Sequence, residues 1–217
     1  MDYSLDRKLA VEFIGMFLFV FTVGMATESA NKSGAVLAPL AIGAVLMVVV
    51  FGGGHVSGGH YNPAVSTAVF IRGKIKSQEY LAYIVTQFIA AALAGLLVNA
   101  VGGKETAGVT ASTGKMLVAE FIFTFALAYI VLNVATAKGT EGNSFYGLAI
   151  GFTVVVGAIS VGWISGGAFN PAIALGASVL GAFKWAHIWI YLLADFLGGA
   201  AAAGVFLYIQ GEHAHAE

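Results

Sequence analysis

Asn62 and Asn170 are the residues with a chemistry to offer. Each stands in the same octet, Ser-Gly-Gly-x-aromatic-Asn-Pro-Ala, which runs Ser57-Gly58-Gly59-His60-Tyr61-Asn62-Pro63-Ala64 and again Ser165-Gly166-Gly167-Ala168-Phe169-Asn170-Pro171-Ala172. A side-chain amide donates and accepts hydrogen bonds without becoming charged. It can therefore hand a neutral molecule along without reacting with it. No nucleophile, base and orienting group stand together elsewhere, and no phosphate-binding glycine loop is present, so the pattern is not that of an enzyme. With no cysteine in the chain, disulfides, thiolate metal sites and cysteine nucleophiles are excluded.

The same residues are also a helix start. Asparagine is a preferred N-cap and proline suits the first helical position. The paired glycines before them let the chain enter through a tight non-helical turn. The apolar runs that follow, Val65 to Ile71 and Ile173 to Gly181, are short. Neither can cross a bilayer, which takes about 20 residues.

The elements around these half-length helices belong in a membrane. Hydrophobic residues make up 59% of the chain, charged residues 10%, and the mean hydropathy is +0.89. Soluble domains carry about 25% charged residues. A net charge of −1 offers nothing to nucleic acid. Six spans are expected: Leu9 to Thr27, Val36 to Gly53, Tyr80 to Val101, Met116 to Ala135, Tyr146 to Trp163 and His187 to Tyr208. Polar loops are expected at Glu28 to Gly34, Gly102 to Thr113 and Lys138 to Asn143. The N-terminus lacks a clear cleavage site and reads as retained. Glycine, 29 of 217 residues, favours close helix approach in lipid.

The two halves repeat at an offset of 108 residues: Glu12 with Glu120, Asn62 with Asn170, Tyr83 with Tyr191, Gln87 with Asp195, Gly43 with Gly151 and Gly54 with Gly162. The chain thus reads as a single transmembrane channel domain, 1–217, built from repeats of approximately 1–108 and 109–217. Each repeat has three full spans, an odd number, so the second lies inverted in the membrane. The two half-helices then enter from opposite faces and their N-termini meet at the midplane. Non-helical backbone at that depth is tolerated where it is buried in protein or lines a water-filled cavity, which implies a pore. Arg7, Lys8, Arg72, Lys74, Lys76 and Lys138 fall on one side, against Lys32, Lys104, Lys115 and Lys184 on the other. The excess puts both termini in the cytoplasm, and a plasma (inner) membrane is expected.

Two Asn-Pro-Ala motifs in a tandem repeat, the first preceded by Ser57-Gly58-Gly59-His60, make the chain resemble an aquaporin of the major intrinsic protein family across all six spans. The resemblance implies an all-α fold of six transmembrane helices plus two re-entrant half-helices. It implies a homotetramer in the lipid bilayer, one pore per subunit, passing water or small neutral solutes without any cofactor or metal. It also implies that Glu12 and Glu120 hold the re-entrant loops through their backbone amides. Proton rejection by the positive ends of half-helix dipoles is established for such pores.

One departure matters. Where most members of the family carry arginine after the second Asn-Pro-Ala, this chain has Ile173. Counted by family spacing, the remaining filter positions are Ile42, Ala158 and Gly167, and the acid usual in glycerol-conducting relatives is replaced by Ala174. Such a filter is expected to be wide and apolar, open to ammonia, urea or glycerol alongside water. The alternatives are a pore gated by dewetting between Ile42 and Ile173 with a structural membrane role, or a proton-coupled secondary transporter, for which Asp195 is the available acid. His60 is expected to line the cytoplasmic vestibule, with His55 a turn of loop earlier. Asp195 and Gln87 read as a polar contact between the halves, and the tail Glu212 to Glu217 as a solvated end rather than a metal site.

Overall fold

In lipid a backbone amide finds no partner outside its own segment, so apolar runs of this length fold as helices. The computed structural model describes residues 3–33, 36–102 and 111–211. The tail read above, and most of the Gly/Thr-rich loop with Lys104, lie outside the described residues. In chain order the helices are α1 (Leu5–Ser33), α2 (Ala38–Ser57), α3 (Pro63–Ile71), α4 (Ser77–Val101), α5 (Thr113–Thr136), α6 (Tyr146–Ser165), α7 (Pro171–Val179) and α8 (Ile188–Gln210). Among the described residues six of them, all but α3 and α7, are long and apolar enough to cross a membrane. Their outward faces are apolar too: Leu81, Val85, Ile89 and Leu96 of α4 are all more than half exposed.

Two helices run further than the sequence suggests. The segment expected as a loop, Glu28 to Gly34, is helical through Ser33. Glu28 is buried there and pairs with Lys32 one turn on, at 2.8 Å. The Thr27 and Ser33 hydroxyls donate back to the Val23 and Ser29 carbonyls. The second span, expected to stop at Gly53, continues to Ser57 and is closed by Gly58 in a left-handed conformation (φ 90°). Of the glycines before it, Gly53 serves packing, not turning: a Cβ there would lie 2.2 Å from the Tyr61 hydroxyl. His55 therefore sits in the last turn of α2, not in a loop.

Small residues set the framework. α2 crosses α6 where a Cβ on Gly43 would come within 2.5 Å of the Gly151 carbonyl, and one on Gly151 within 2.5 Å of the Gly43 carbonyl. Further along the same pair, Met47 meets Gly151 and Phe51 meets Gly147. As one helix ascends the other descends, so α2 and α6 are antiparallel. Each half-helix packs on a helix from the opposite half, α3 on α8 and α7 on α4. Gly199 of α8 admits the Ala64 carbonyl, and Gly95 of α4 admits the Gly176 carbonyl.

Because the obstacle at the α2/α6 crossing is backbone, it cannot rotate away. Gly151→Val is expected to destabilise the protein by about 1–3 kcal/mol or more through overpacking. Gly52→Ala, where nothing lies within 4 Å, is expected to be neutral. The monodisperse fraction surviving a heating series in detergent measures both.

Candidate functional site

The half-helices start as the sequence dictates. Asn62 is extended (φ −163°) and its Oδ1 accepts the Ala64 N–H at 2.8 Å and the Val65 N–H at 3.4 Å. Asn170 (φ −164°) does the same for Ala172 at 2.9 Å and Ile173 at 3.4 Å. Pro63 and Pro171 are the first helical residues, where a missing N–H costs nothing. Ala64 and Ala172 are fully buried behind them.

The amide nitrogens cross over. Asn62 Nδ2 donates to the Phe169 carbonyl at 2.9 Å, and Asn170 Nδ2 donates to the Tyr61 carbonyl at 2.8 Å. Each asparagine is thus fixed by its own helix through oxygen and by the opposite motif through nitrogen. The two helix starts, 108 residues apart in sequence, adjoin in space. One N–H of each amide is used in this exchange. A primary amide has a second.

Two buried carboxylates hold the loops that carry the asparagines. Glu12 is fully buried on α1. Its Oε1 accepts the Ser57 hydroxyl at 2.7 Å and the His60 N–H at 2.9 Å. Its Oε2 accepts the Tyr61 N–H at 2.8 Å and the Gln87 amide at 2.9 Å. Glu120 on α5 repeats this for the second loop, accepting Ser165 (2.5 Å) and Ala168 N–H (3.1 Å) on Oε1 and Phe169 N–H (2.6 Å) on Oε2. The tyrosine hydroxyls of the two halves finish the loops alike: Tyr83 donates to the Ser57 carbonyl and Tyr191 to the Ser165 carbonyl. Gln87 and Asp195 each stay within their own half, Gln87 on Glu12 and Ser66, Asp195 on Thr124. The contact between halves expected of them is not formed. The halves meet instead at glycines and at the asparagines.

Sequence reasoning missed Tyr61 and Phe169 as working residues. They are the non-glycine residues with positive φ among those described, at 45° and 48°. A side chain there costs of order 1–2 kcal/mol. That conformation turns each residue's N–H to the glutamate and its carbonyl to the opposite asparagine. The rings lock it: the Tyr61 hydroxyl donates to the Val49 carbonyl at 3.0 Å, and the Phe169 ring fills the space beside Gly157. The available signal was the aromatic residue before Asn in both octets.

Ile173 lies in the first turn of α7 and is buried, with 4% of its surface exposed. Gly167 lies in the loop before it (φ 68°), its α-carbon side close to Gly162 of α6. Ile42 and Ala158, both half-buried, lie toward the same end of the antiparallel α2/α6 pair. His60 is buried, with Nδ1 3.1 Å from the Ser66 hydroxyl and its ring edge-on to Tyr83. It borders a vestibule of about 850 Å³ that Lys8, His55, Arg72, Lys74 and Lys138 also line.

Comparison with known proteins agrees with this architecture. The family profile described as Major intrinsic protein matches residues 2–208. A rice (Oryza sativa subsp. japonica) protein described as Aquaporin NIP1-4 is 33% identical over 97% of this chain and 79% of its own length. A Lactiplantibacillus plantarum protein described as Glycerol uptake facilitator protein-like 6 is 35% identical over 91% of this chain and 95% of its own. In fold, the X-ray structure of the aquaglyceroporin from Plasmodium falciparum superposes with a TM-score of 0.83, covering 98% of this chain and 99% of that one at 20% identity.

Proposed function

This chain belongs to the major intrinsic protein family, and from that premise we propose that it is a passive channel for water and small neutral solutes, with a wide, apolar filter lacking arginine. It is a multi-pass membrane protein and not an enzyme. The observation that carries the reading is the crossed pair of asparagine–carbonyl bonds, which keeps two helix starts against each other inside the protein. Each helix start carries roughly half a positive elementary charge. The second N–H of each asparagine is then left for a passing oxygen. A water that accepts from both cannot also pass a proton along its file. The antiparallel run of α2 and α6 supports an inverted pair of repeats, approximately 1–108 and 109–217, because only a two-fold axis lying in the membrane plane reverses a helix onto its equivalent.

Ile42, Ala158, Gly167 and Ile173 form the filter on this reading. None of their side chains donates a hydrogen bond, so solutes are sorted by size and by the ease of shedding water. The names of the relatives point to water and to glycerol, and an aliphatic filter suits both along with urea and ammonia. Lys8, Arg72, Lys74 and Lys138 gather round the vestibule that His60 borders, supporting a cytoplasmic face there and cytoplasmic termini. A plasma (inner) membrane site and a homotetramer with one pore per subunit complete the proposal.

Burial of Ile173 favours a second reading, in which apolar side chains close the pore by dewetting. Comparing the permeability of proteoliposomes to water, glycerol, urea and ammonia separates the two. The open channel gives solute-dependent swelling well above empty liposomes, linear in gradient. Water flux no higher than in empty liposomes sinks it. Flux that saturates or follows a proton gradient transfers the reading to a coupled transporter.

A further inference from the structure

The two glutamate anchors are alike except in one seat. Glu12 accepts four hydrogen bonds, two on each oxygen, and the fourth comes from the Gln87 amide. Glu120 accepts three from neutral donors, with only Phe169 N–H on Oε2. The seat equivalent to Gln87 is taken by Asp195, fully buried beside Glu120. Asp195 Oδ1 accepts the Thr124 hydroxyl at 2.9 Å. Its Oδ2 is buried with no hydrogen-bond partner among the described residues, and the Asn170 backbone N–H also faces the carboxylate. Thr124 itself stands where the first half has the apolar Met16, so the second half has exchanged two residues for a polar pair. An ionised Asp195 would leave two carboxylates side by side in the interior of the protein, with no ion pair to either among the described residues. Like charges so placed cannot both persist.

We propose that Asp195 and Glu120 share one proton, so that Asp195 acts as a carboxylic acid donating to Glu120 in the place of the Gln87 amide. Asp195 is a positioning residue. Its proton completes the set of donors around Glu120, Glu120 holds the Ala168 and Phe169 amides, and the Phe169 carbonyl holds Asn62. One of the pore's two anchors is then built on a bound proton and the other on an amide. The inference deepens the channel reading given above, yet its spectroscopic test does not depend on which solute crosses.

The test is infrared spectroscopy of the purified protein in lipid at neutral pH, as the difference between wild type and Asp195→Asn. The wild type is expected to show the carbonyl stretch of a protonated carboxylic acid, shifted in heavy water and lost in the variant. Absence of that difference band overturns the proposal. Asp195→Asn supplies an amide donor and keeps an acceptor for Thr124, so its water flux is expected within about twofold of wild type. Asp195→Leu is expected to lose about tenfold or more, or to give no folded protein, because a donor to a buried carboxylate is removed. Full flux from the leucine variant overturns the positioning role. A failed channel with the band intact would remove the functional reading while leaving the shared proton standing.

Discussion

Glu12→Leu is expected to yield little folded protein, and any that is recovered should conduct water at less than about a tenth of the wild-type rate. The substitution removes one acceptor from four donors at once: the Ser57 hydroxyl, the His60 and Tyr61 amides and the Gln87 side chain. All of these groups are buried. A buried donor left without a partner costs about 1–3 kcal/mol, and a whole protein is stable by only about 5–15 kcal/mol. Tyr61 would lose the bond that offsets its left-handed backbone, and its carbonyl would cease to fix Asn170. Glu12→Gln keeps one accepting oxygen and is expected to fall between the two, folding but conducting less. Monodisperse yield and stopped-flow shrinkage of vesicles at matched protein density read the series. Wild-type flux from Glu12→Leu would show that the loop needs no anchor.

Ile173→Arg is expected to change what the channel passes. The guanidinium brings five N–H donors and a fixed charge to a constriction of aliphatic side chains and a glycine. Glycerol and urea flux should fall about tenfold or more, which corresponds to about 1.4 kcal/mol in the barrier, while water falls less. Proton leak should fall as well, since the half-helix ends would no longer be the sole source of positive potential. The measurement compares swelling rates for the three solutes and the decay of a pH gradient in the same vesicles. An equal loss for every solute would mean that the arginine merely plugs the pore. An unchanged proton leak would contradict the expectation that cation rejection is weaker without the arginine.

Most of the scaffold was legible because its signals are local. Asn62-Pro63 and Asn170-Pro171 cap helices by short-range bonds that any Asn-Pro offers. Hydropathy marked the six spans within a few residues, since lipid enforces helix over the whole apolar run. The ends were less legible. Gly52-Gly53-Gly54 carry the propensity of a turn yet lie within α2, because Tyr61 needs the space beside Gly53 and helix packing outweighs local preference. Glu28 reads as a loop residue and is buried inside α1, paired with Lys32.

By itself the sequence determined that the chain is a membrane protein made twice from one pattern, with a capped half-helix and a glutamate at the same place in each copy. Those properties depend on composition, periodicity and residue identity at fixed spacing. The tertiary structure alone decided how the copies engage. It directed each asparagine nitrogen to the carbonyl of the other motif, held Tyr61 and Phe169 in a conformation no aromatic residue favours, and kept Gln87 and Asp195 each against the glutamate of its own half. These contacts join residues distant in sequence, and their geometry is imposed by the crossing of α2 with α6 and by glycine-width gaps between helices. Propensity carries no record of them, because each residue's own preference points elsewhere.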